Sequence, residues 1–212
     1  MTEYPKIQTV FRRDPNNRFR TLLDGDFAIP EFDYLKNNRW VFTEKIDGTN
    51  IRVVWQDGKV TFMGKTDNAQ IPALLITKLQ EHFTVEKMKV AFPDSTACLY
   101  GEGYGARIQK SGGNYIADGV DFILFDIRID KWWLERKNVE DVATKLSIGI
   151  VPIVGEGTLL DAVDMARSGY LSQIGSQMAE GVVMRPVVEL ASRNGHRIIS
   201  KIKHKDFVPK GK

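Results

Sequence analysis

The chain has 212 residues and a net charge of +3. It is long enough to bury a substantial core, too rich in apolar residues to be disordered, and so mildly basic that it permits an anionic partner without demanding one. A single cysteine, Cys98, excludes an internal disulfide framework and suits a reducing compartment. No signal peptide and no apolar run of bilayer-spanning length is present, so a soluble, cytoplasmic protein is expected. No internal repeat, low-complexity stretch or linker divides the sequence, which reads as one domain over residues 1–212.

In chain order, residues 1–30 are mixed and basic, with Arg12, Arg13, Arg18 and Arg20 around Asp14-Pro15-Asn16-Asn17. This is a turn in a cationic segment, either a solvated arm or a nucleic-acid contact. Trp40-Val41-Phe42 and Ile51-Arg52-Val53-Val54-Trp55 are strand-like runs on either side of Thr43-Glu44-Lys45-Ile46-Asp47-Gly48-Thr49-Asn50. A lysine ending a strand before an Asp-Gly bend can be held against a ligand, and its amine can be a nucleophile in neutral form. An ordinary surface lysine before a turn would look the same. Asp57-Gly58 then predicts a hairpin joining residues 51–56 to 59–63, and Gly64-Lys65-Thr66-Asp67 closes the second strand on a cation. Ile71, Leu74, Leu75, Leu79 and Phe83, with Pro72 near the start, mark an amphipathic helix over 71–83. His82 on it reads as a surface or packing residue.

Cys98 lies between Ala97 and Leu99 and is expected to be a buried structural thiol. The run Cys98-Leu99-Tyr100-Gly101-Glu102-Gly103-Tyr104-Gly105 ends in glycines that let backbone approach a ligand closely. Glu102 could accept hydrogen bonds from a ribose or merely cap a turn. Residues 107–114, with Lys110 and Gly112-Gly113, read as a mobile loop. Residues 121–127 form a nearly continuous apolar strand, ending on Asp126, which would be costly inside without partners. Two-residue alternation puts Phe125 on the face opposite Asp126, as a core residue or as a ring offered to a base. Asn138 is expected to cap a helix over 139–146. Thr158 with Asp161 predicts a capped helix running to about residue 167 and closed by Gly169. Glu180-Gly181-Val182-Val183-Met184-Arg185-Pro186 follows, and after the Asn194-Gly195 turn comes Arg197-Ile198-Ile199-Ser200-Lys201-Ile202-Lys203. In a strand, Lys201 and Lys203 share a face. They suit an anionic ligand, or equally a solvated edge protected by lysines.

Taken together, these segments resemble the covalent nucleotidyltransferases: RNA ligases, DNA ligases and mRNA capping enzymes. Lys45-Ile46-Asp47-Gly48-Thr49-Asn50 is similar to the nucleophile motif, and Gly101-Glu102 to the ribose-contact motif. Phe125-Asp126 resembles the motif that stacks on the purine, Glu180-Gly181-Val182-Val183 the metal-associated motif, and Lys201-Ile202-Lys203 the terminal lysine pair. Five motifs in the right order over about three quarters of the chain are a specific signal. Asn50 stands where DNA ligases typically place arginine, so the resemblance is best to RNA ligases that seal nicks in duplex RNA. Two departures are visible. The cation after the hairpin is usually arginine, whereas Lys65 stands here and cannot make a forked contact. The chain also ends soon after Lys203, without room for the appended C-terminal domain common in the family.

The resemblance implies an α+β nucleotidyltransferase (ATP-grasp-like) domain, with twisted antiparallel sheets, flanking helices and the nucleotide between the sheets. It implies an ATP-dependent RNA ligase that joins 3′-OH and 5′-phosphate ends through a lysyl-AMP and an adenylylated 5′-end. The catalytic residues it implies are Lys45 as nucleophile, with Glu180, Lys201 and Lys203. The nucleotide would be bound by Glu44, Asn50, Lys65, Glu102, Phe125, Asp126 and Lys201. ATP would supply the AMP, and Mg²⁺ (or Mn²⁺) would sit at Glu180 through water. RNA would be gripped by Arg12, Arg13, Arg18, Arg20, Lys65, Arg107 and Lys110, and a monomer without membrane contact is expected. The rival readings are a DNA ligase, a capping-type guanylyltransferase, or a nucleic-acid-binding relative without activity.

Overall fold

The computed structural model describes residues 3–208 and resolves them into two compact units. The first comprises residues 47–151 with the segment up to Pro5, and the second residues 6–46 with the segment from Pro152 onward. Among the described residues, no helix is long and apolar enough to cross a membrane.

The first unit is built on a six-stranded sheet with path order Gly149–Ile150, Val120–Ile129, Ala97–Gly105, Thr49–Gln56, Lys59–Met63, while Trp132–Trp133 pairs with Val120–Ile129. Neighbours are antiparallel except for Gly149–Ile150 beside Val120–Ile129. The Asp57-Gly58 hairpin forms as expected, and both residues adopt positive φ (+51° and +69°), the twist that matches flanking strands. Ile51, Val53, Trp55, Leu99, Leu124 and Ile127 turn one face toward Leu75, Leu79, Met88, Val139 and Leu146. These come from the helices Ala73–His82, Val85–Ala91 and Arg136–Leu146. Burying such side chains contributes roughly 1.5–3 kcal/mol each, so this face holds the unit together. The helix Val85–Ala91 leaves no clear signal in the sequence, because seven residues give too few repeats of a 3.6-residue period; Thr84 caps it by accepting from the Lys87 amide. Arg136–Leu146 starts three residues earlier than expected, since Arg136 reaches both Glu140 and the Val151 carbonyl, and Asn138 lies inside its first turn.

The opposite sheet face carries Val54, Cys98 and Tyr100, packed by Tyr4, Met63, Phe125 and Trp133. Cys98 is buried, and that burial pushes its thiol upward, as befits a structural residue. Here the alternation expected for Phe125 and Asp126 breaks. Tyr100 pairs with Asp126 and Gly101 with Leu124, which leaves Phe125 as the extra residue of a β-bulge. Leu124 and Ile127 both enter the helix-covered core, so the two residues between them share the other face. Tyr4 touches both: its hydroxyl donates to Asp126 (2.7 Å) and its ring meets Phe125 edge-on at 5.1 Å. Tyr4 and the Ile127 amide (3.2 Å) are among the partners that make a buried Asp126 tolerable.

The second unit centres on a five-stranded sheet ordered Gln8–Thr9, Ser200–Lys203, Gly181–Pro186, Trp40–Glu44, Ile153–Gly157. All neighbours are antiparallel except Gln8–Thr9 beside Ser200–Lys203. Trp40, Phe42, Val182, Met184 and Ile202 pack on Leu159, Ala162, Val163 and Ala166 of the helix Leu159–Ser168. That helix carries the expected capping box of Thr158 and Asp161. A small hairpin, Phe11–Arg13 with Leu22–Phe27, and the short helix Pro30–Tyr34 complete it.

Candidate functional site

In the second unit, alternation that buries Phe42, Val182 and Ile202 turns Thr43, Lys45, Val183, Lys201 and Lys203 to the other face. Lys45 leaves the end of its strand with its amide donating to the Gly181 carbonyl (2.9 Å). Its Nζ donates to one oxygen of Glu180 at 2.5 Å, and Lys203 Nζ donates to the other, also at 2.5 Å. Glu180 therefore bridges the lysine of the nucleophile motif and one lysine of the terminal pair. Burial pushes its carboxyl up, but the Lys45 ammonium and the hydrogen bonds from Lys203 and Lys45 outweigh this and hold it below the ordinary glutamate range. Gly181 lets the strands close here. A β-carbon would collide with the Ile202 carbonyl and come within 2.7 Å of the Lys203 Cα.

Glu44 occupies the opposite face of the same strand and is 1% exposed. Its two carboxylate oxygens are taken by the Ser172 hydroxyl (2.5 Å) and the Gln173 amide (2.8 Å). The side chain thus anchors the loop after Tyr170, on the side away from Lys45. That loop also carries Gln177, whose amide oxygen and nitrogen are both buried without a hydrogen-bond partner among the described residues.

The first unit gathers the other motif residues on its bulged sheet face. Register places Asn50 opposite Glu102, Arg52 opposite Tyr100, and Tyr100 opposite Asp126. The bend at Asp47-Gly48 is clamped by the 107–114 segment that the sequence suggested would be mobile. Ser111 donates to Asp47 (2.7 Å), Gln109 to the Gly48 carbonyl (2.9 Å), and the Asp47 amide to the Tyr115 hydroxyl (3.1 Å). Gly48 is required by close approach, because a β-carbon would strike the Gly103 carbonyl and lie 2.7 Å from Glu102 Cγ. The Asn50 side-chain oxygen, Oδ1, is buried with no hydrogen-bond partner among the described residues. Such an atom costs free energy unless a ligand or water meets it.

Sequence reasoning missed Arg52, the largest charged side chain that is wholly buried. Its Nε donates to the Gly64 carbonyl (2.9 Å) and one terminal nitrogen to Asp67 (2.8 Å). The signal was present: an arginine between Ile51 and Val53 in an apolar strand has to find partners. Lys65, in contrast, is exposed and stands outside this cluster of contacts. Among the described residues no group of three or more His, Cys, Asp or Glu side chains is placed to hold a metal.

The geometry thus brings Lys45, Glu180 and Lys203 into contact in one unit, with Lys201 on their face. It gathers Asn50, Glu102, Phe125 and Asp126 on one sheet face in the other. Three solved structures are similar to the whole chain. An apo mutant of Naegleria gruberi RNA ligase superposes with a TM-score of 0.67 at 20% identity, covering 98% of this chain and 59% of that one. A mutant of the same ligase with AMP and Mn gives 0.66 at 20%, covering 96% and 58%, and that ligase with PPi gives 0.66 at 21%, covering 96% and 58%. The chain accordingly spans under two thirds of the length of those proteins. No curated protein sequence matches it. The family model for RNA ligase matches residues 38–203, a span that begins just before the Trp40–Glu44 strand and ends on Lys203, and by that match the chain belongs to the RNA ligase family.

Proposed function

We propose that this protein is an ATP-dependent RNA ligase that joins 3′-OH and 5′-phosphate ends. The observation that carries this reading is the Lys45–Glu180–Lys203 array, which sets a nucleophile's nitrogen beside a second cation through one carboxylate. Lys45 Nζ would form a bond to the α-phosphorus of ATP while the bond to pyrophosphate breaks, leaving lysyl-AMP. The AMP would then pass to the 5′-phosphate of RNA, and the 3′-hydroxyl would expel it as the phosphodiester forms. These displacements ask for positioning and charge neutralisation rather than a strong base. Lys201 and Lys203 would stabilise the phosphate oxygens. The salt bridge to Glu180 orients Lys45, which has to release a proton to solvent before attack, because a protonated amine has no free electron pair.

The remaining roles follow the resemblance. Glu102 would hold the ribose, Phe125 would stack on adenine, Asn50 would meet a phosphate or its waters with its unpaired oxygen, and Asp126 would support Phe125 through Tyr4. Glu44 would serve adenine recognition by fixing the loop at residues 172–173. Lys65 would contact phosphate or the RNA end. A lone carboxylate suits hydrated Mg²⁺ or Mn²⁺, which keeps most of its waters and takes substrate oxygens as further ligands, and Glu180 is the residue that would hold it. Bound there, such an ion lowers the charge on the phosphates. Structures of the similar Naegleria ligase with ATP and Mn support this choice of nucleotide and metal. The buried, unpaired Cys98 suits a reducing, cytoplasmic setting.

Incubation with ATP or GTP labelled at the α-phosphate, followed by a denaturing gel, tests the proposal. Label from ATP and not GTP is expected on the protein, and Lys45→Ala should abolish it. Persistent labelling of that variant would assign the nucleophile elsewhere.

A further inference from the structure

A groove of about 820 Å³ opens within the second unit, beside the Ser200–Lys203 strand. Lys201 and Lys203 line it on one side, and Lys6, Arg12, Arg13 and Phe19 are among the residues that form the rest. Five cations therefore border one channel, and two of them belong to the lysine pair whose partner carboxylate holds Lys45. Not all five are equally available. Arg13 is committed to Asp206 through two hydrogen bonds of 2.8 Å. Arg12 meets Asp26 only at 3.6 Å with both side chains well exposed, a contact that costs little to give up. Lys6 is exposed and has no acidic partner among the described residues.

The lining also includes Phe19 and Leu23, together with the Asp26 that meets Arg12. Phe19 is 62% exposed, and it sits in a loop where both Arg18 and Phe19 have φ of +60°. That region is unfavourable for side chains other than glycine and persists only where the surroundings impose it. Here the loop is closed by the Asp14 amide on the Thr21 carbonyl (3.0 Å) and the Phe19 amide on the Asp14 carbonyl (2.9 Å). An aromatic ring is thus held out toward solvent at the edge of a cationic channel. Cations that track a backbone, with an aromatic platform for a base, are what a single polynucleotide strand requires.

We propose that this groove is the track for the RNA strand whose 5′-phosphate receives AMP, with its phosphodiesters on Lys6 and Arg12 and one base stacked on Phe19. The proposal rests on the reading of the chain as an RNA ligase and names the surface that delivers its polynucleotide. The phosphate-bearing strand fits better than the triphosphate tail of ATP, because that tail carries no second base for Phe19. It fits better than the 3′-OH strand, because the groove's lysines are those beside the site of AMP transfer.

The test uses the full chain and a short single-stranded RNA with a 5′-phosphate, followed by fluorescence anisotropy across a salt series. Lys6→Ala combined with Arg12→Ala should weaken binding about tenfold or more at low salt. It should also flatten the dependence of log affinity on log salt by about 0.7 for each phosphate that is no longer neutralised. Phe19→Ala should weaken binding about tenfold with the slope unchanged, since stacking releases no counterions. Labelling of Lys45 from ATP should stay within about twofold in every variant. RNA binding equal to that of the unaltered chain, or no RNA binding by the unaltered chain, overturns the proposal. So does a loss of ATP labelling with RNA binding retained, which would give the groove to the ATP tail. Failure of the ligase reading shows separately, as absence of label on the unaltered chain, and the binding measurement judges the groove in either case.

Discussion

Glu180 holds two ammonium groups at 2.5 Å, so replacing it with glutamine leaves both lysines without their counter-charge. Glu180→Gln should lower adenylylation about 10²–10³-fold, the usual effect of removing one preorganised electrostatic interaction, with circular dichroism unchanged. Its carboxyl lies below the ordinary glutamate value in the folded chain. The stability it contributes is therefore present above that ordinary value, near 4.5, and is lost as pH falls through the lower folded value. Denaturant titrations should show the variant about 1–3 kcal/mol less stable at neutral pH, and that gap should narrow below about pH 4.5. A constant gap would mean that the carboxylate's charge is not what matters. Ser172→Ala strips one hydrogen bond from the fully buried Glu44 and should cost about 1.5–3 kcal/mol, measured the same way. That Lys45, Glu180 and Lys203 belong together was legible in the sequence, as parts of three motifs of one resemblance, and the three side chains do meet. The engagement of Glu44 was not, since its partners Ser172 and Gln173 lie in a loop with no periodic pattern.

At the scale of elements, one turn and one cap read correctly from local chemistry, while the cap expected at Asn138 did not. The Asp57-Gly58 hairpin and the Thr158–Asp161 capping box need only their own few residues. The bulge at Phe125 could not be read that way, because it exists only in the pairing with the strand Ala97–Gly105. One extra residue lets Phe125 and Asp126 face the same side while Leu124 and Ile127 stay in the core. Deleting Phe125 should then leave a regular strand with Asp126 and Ile127 on their present faces. The variant is expected to keep its circular dichroism spectrum and to lose labelling from ATP. Deleting Leu124 instead also restores the alternation but draws Phe125 into the vacated core position, and should destabilise the unit. If both deletions unfold the chain equally, the bulge is structural rather than a device for presenting Phe125.

Over the whole molecule, adenylylation and sealing should differ in their response to salt. On the proposed reading, the first step needs a small nucleotide and the second a polynucleotide held by phosphate contacts, whose strength falls with ionic strength. Sealing of a pre-adenylylated strand should therefore weaken far more steeply with salt than labelling of Lys45, and ribonucleotide 3′-ends should be sealed better than deoxyribonucleotide ones. Parallel salt curves, or equal use of both acceptors, would contradict this. The composition of the second unit has a kinetic consequence. Its sheet pairs Gln8 with Ser200, and Arg13 with Asp206 joins residues 193 positions apart. The first unit's strands, by contrast, come almost wholly from one continuous stretch, residues 47–151. Loops that long close slowly, and synthesis proceeds from the N-terminal end. On a ribosome the first unit can be complete while Lys45 still lacks Glu180, Lys201 and Lys203. On the proposed reading, the nucleophile is made early and armed last, so a nascent or prematurely stopped chain would carry the signature lysine without the means to use it.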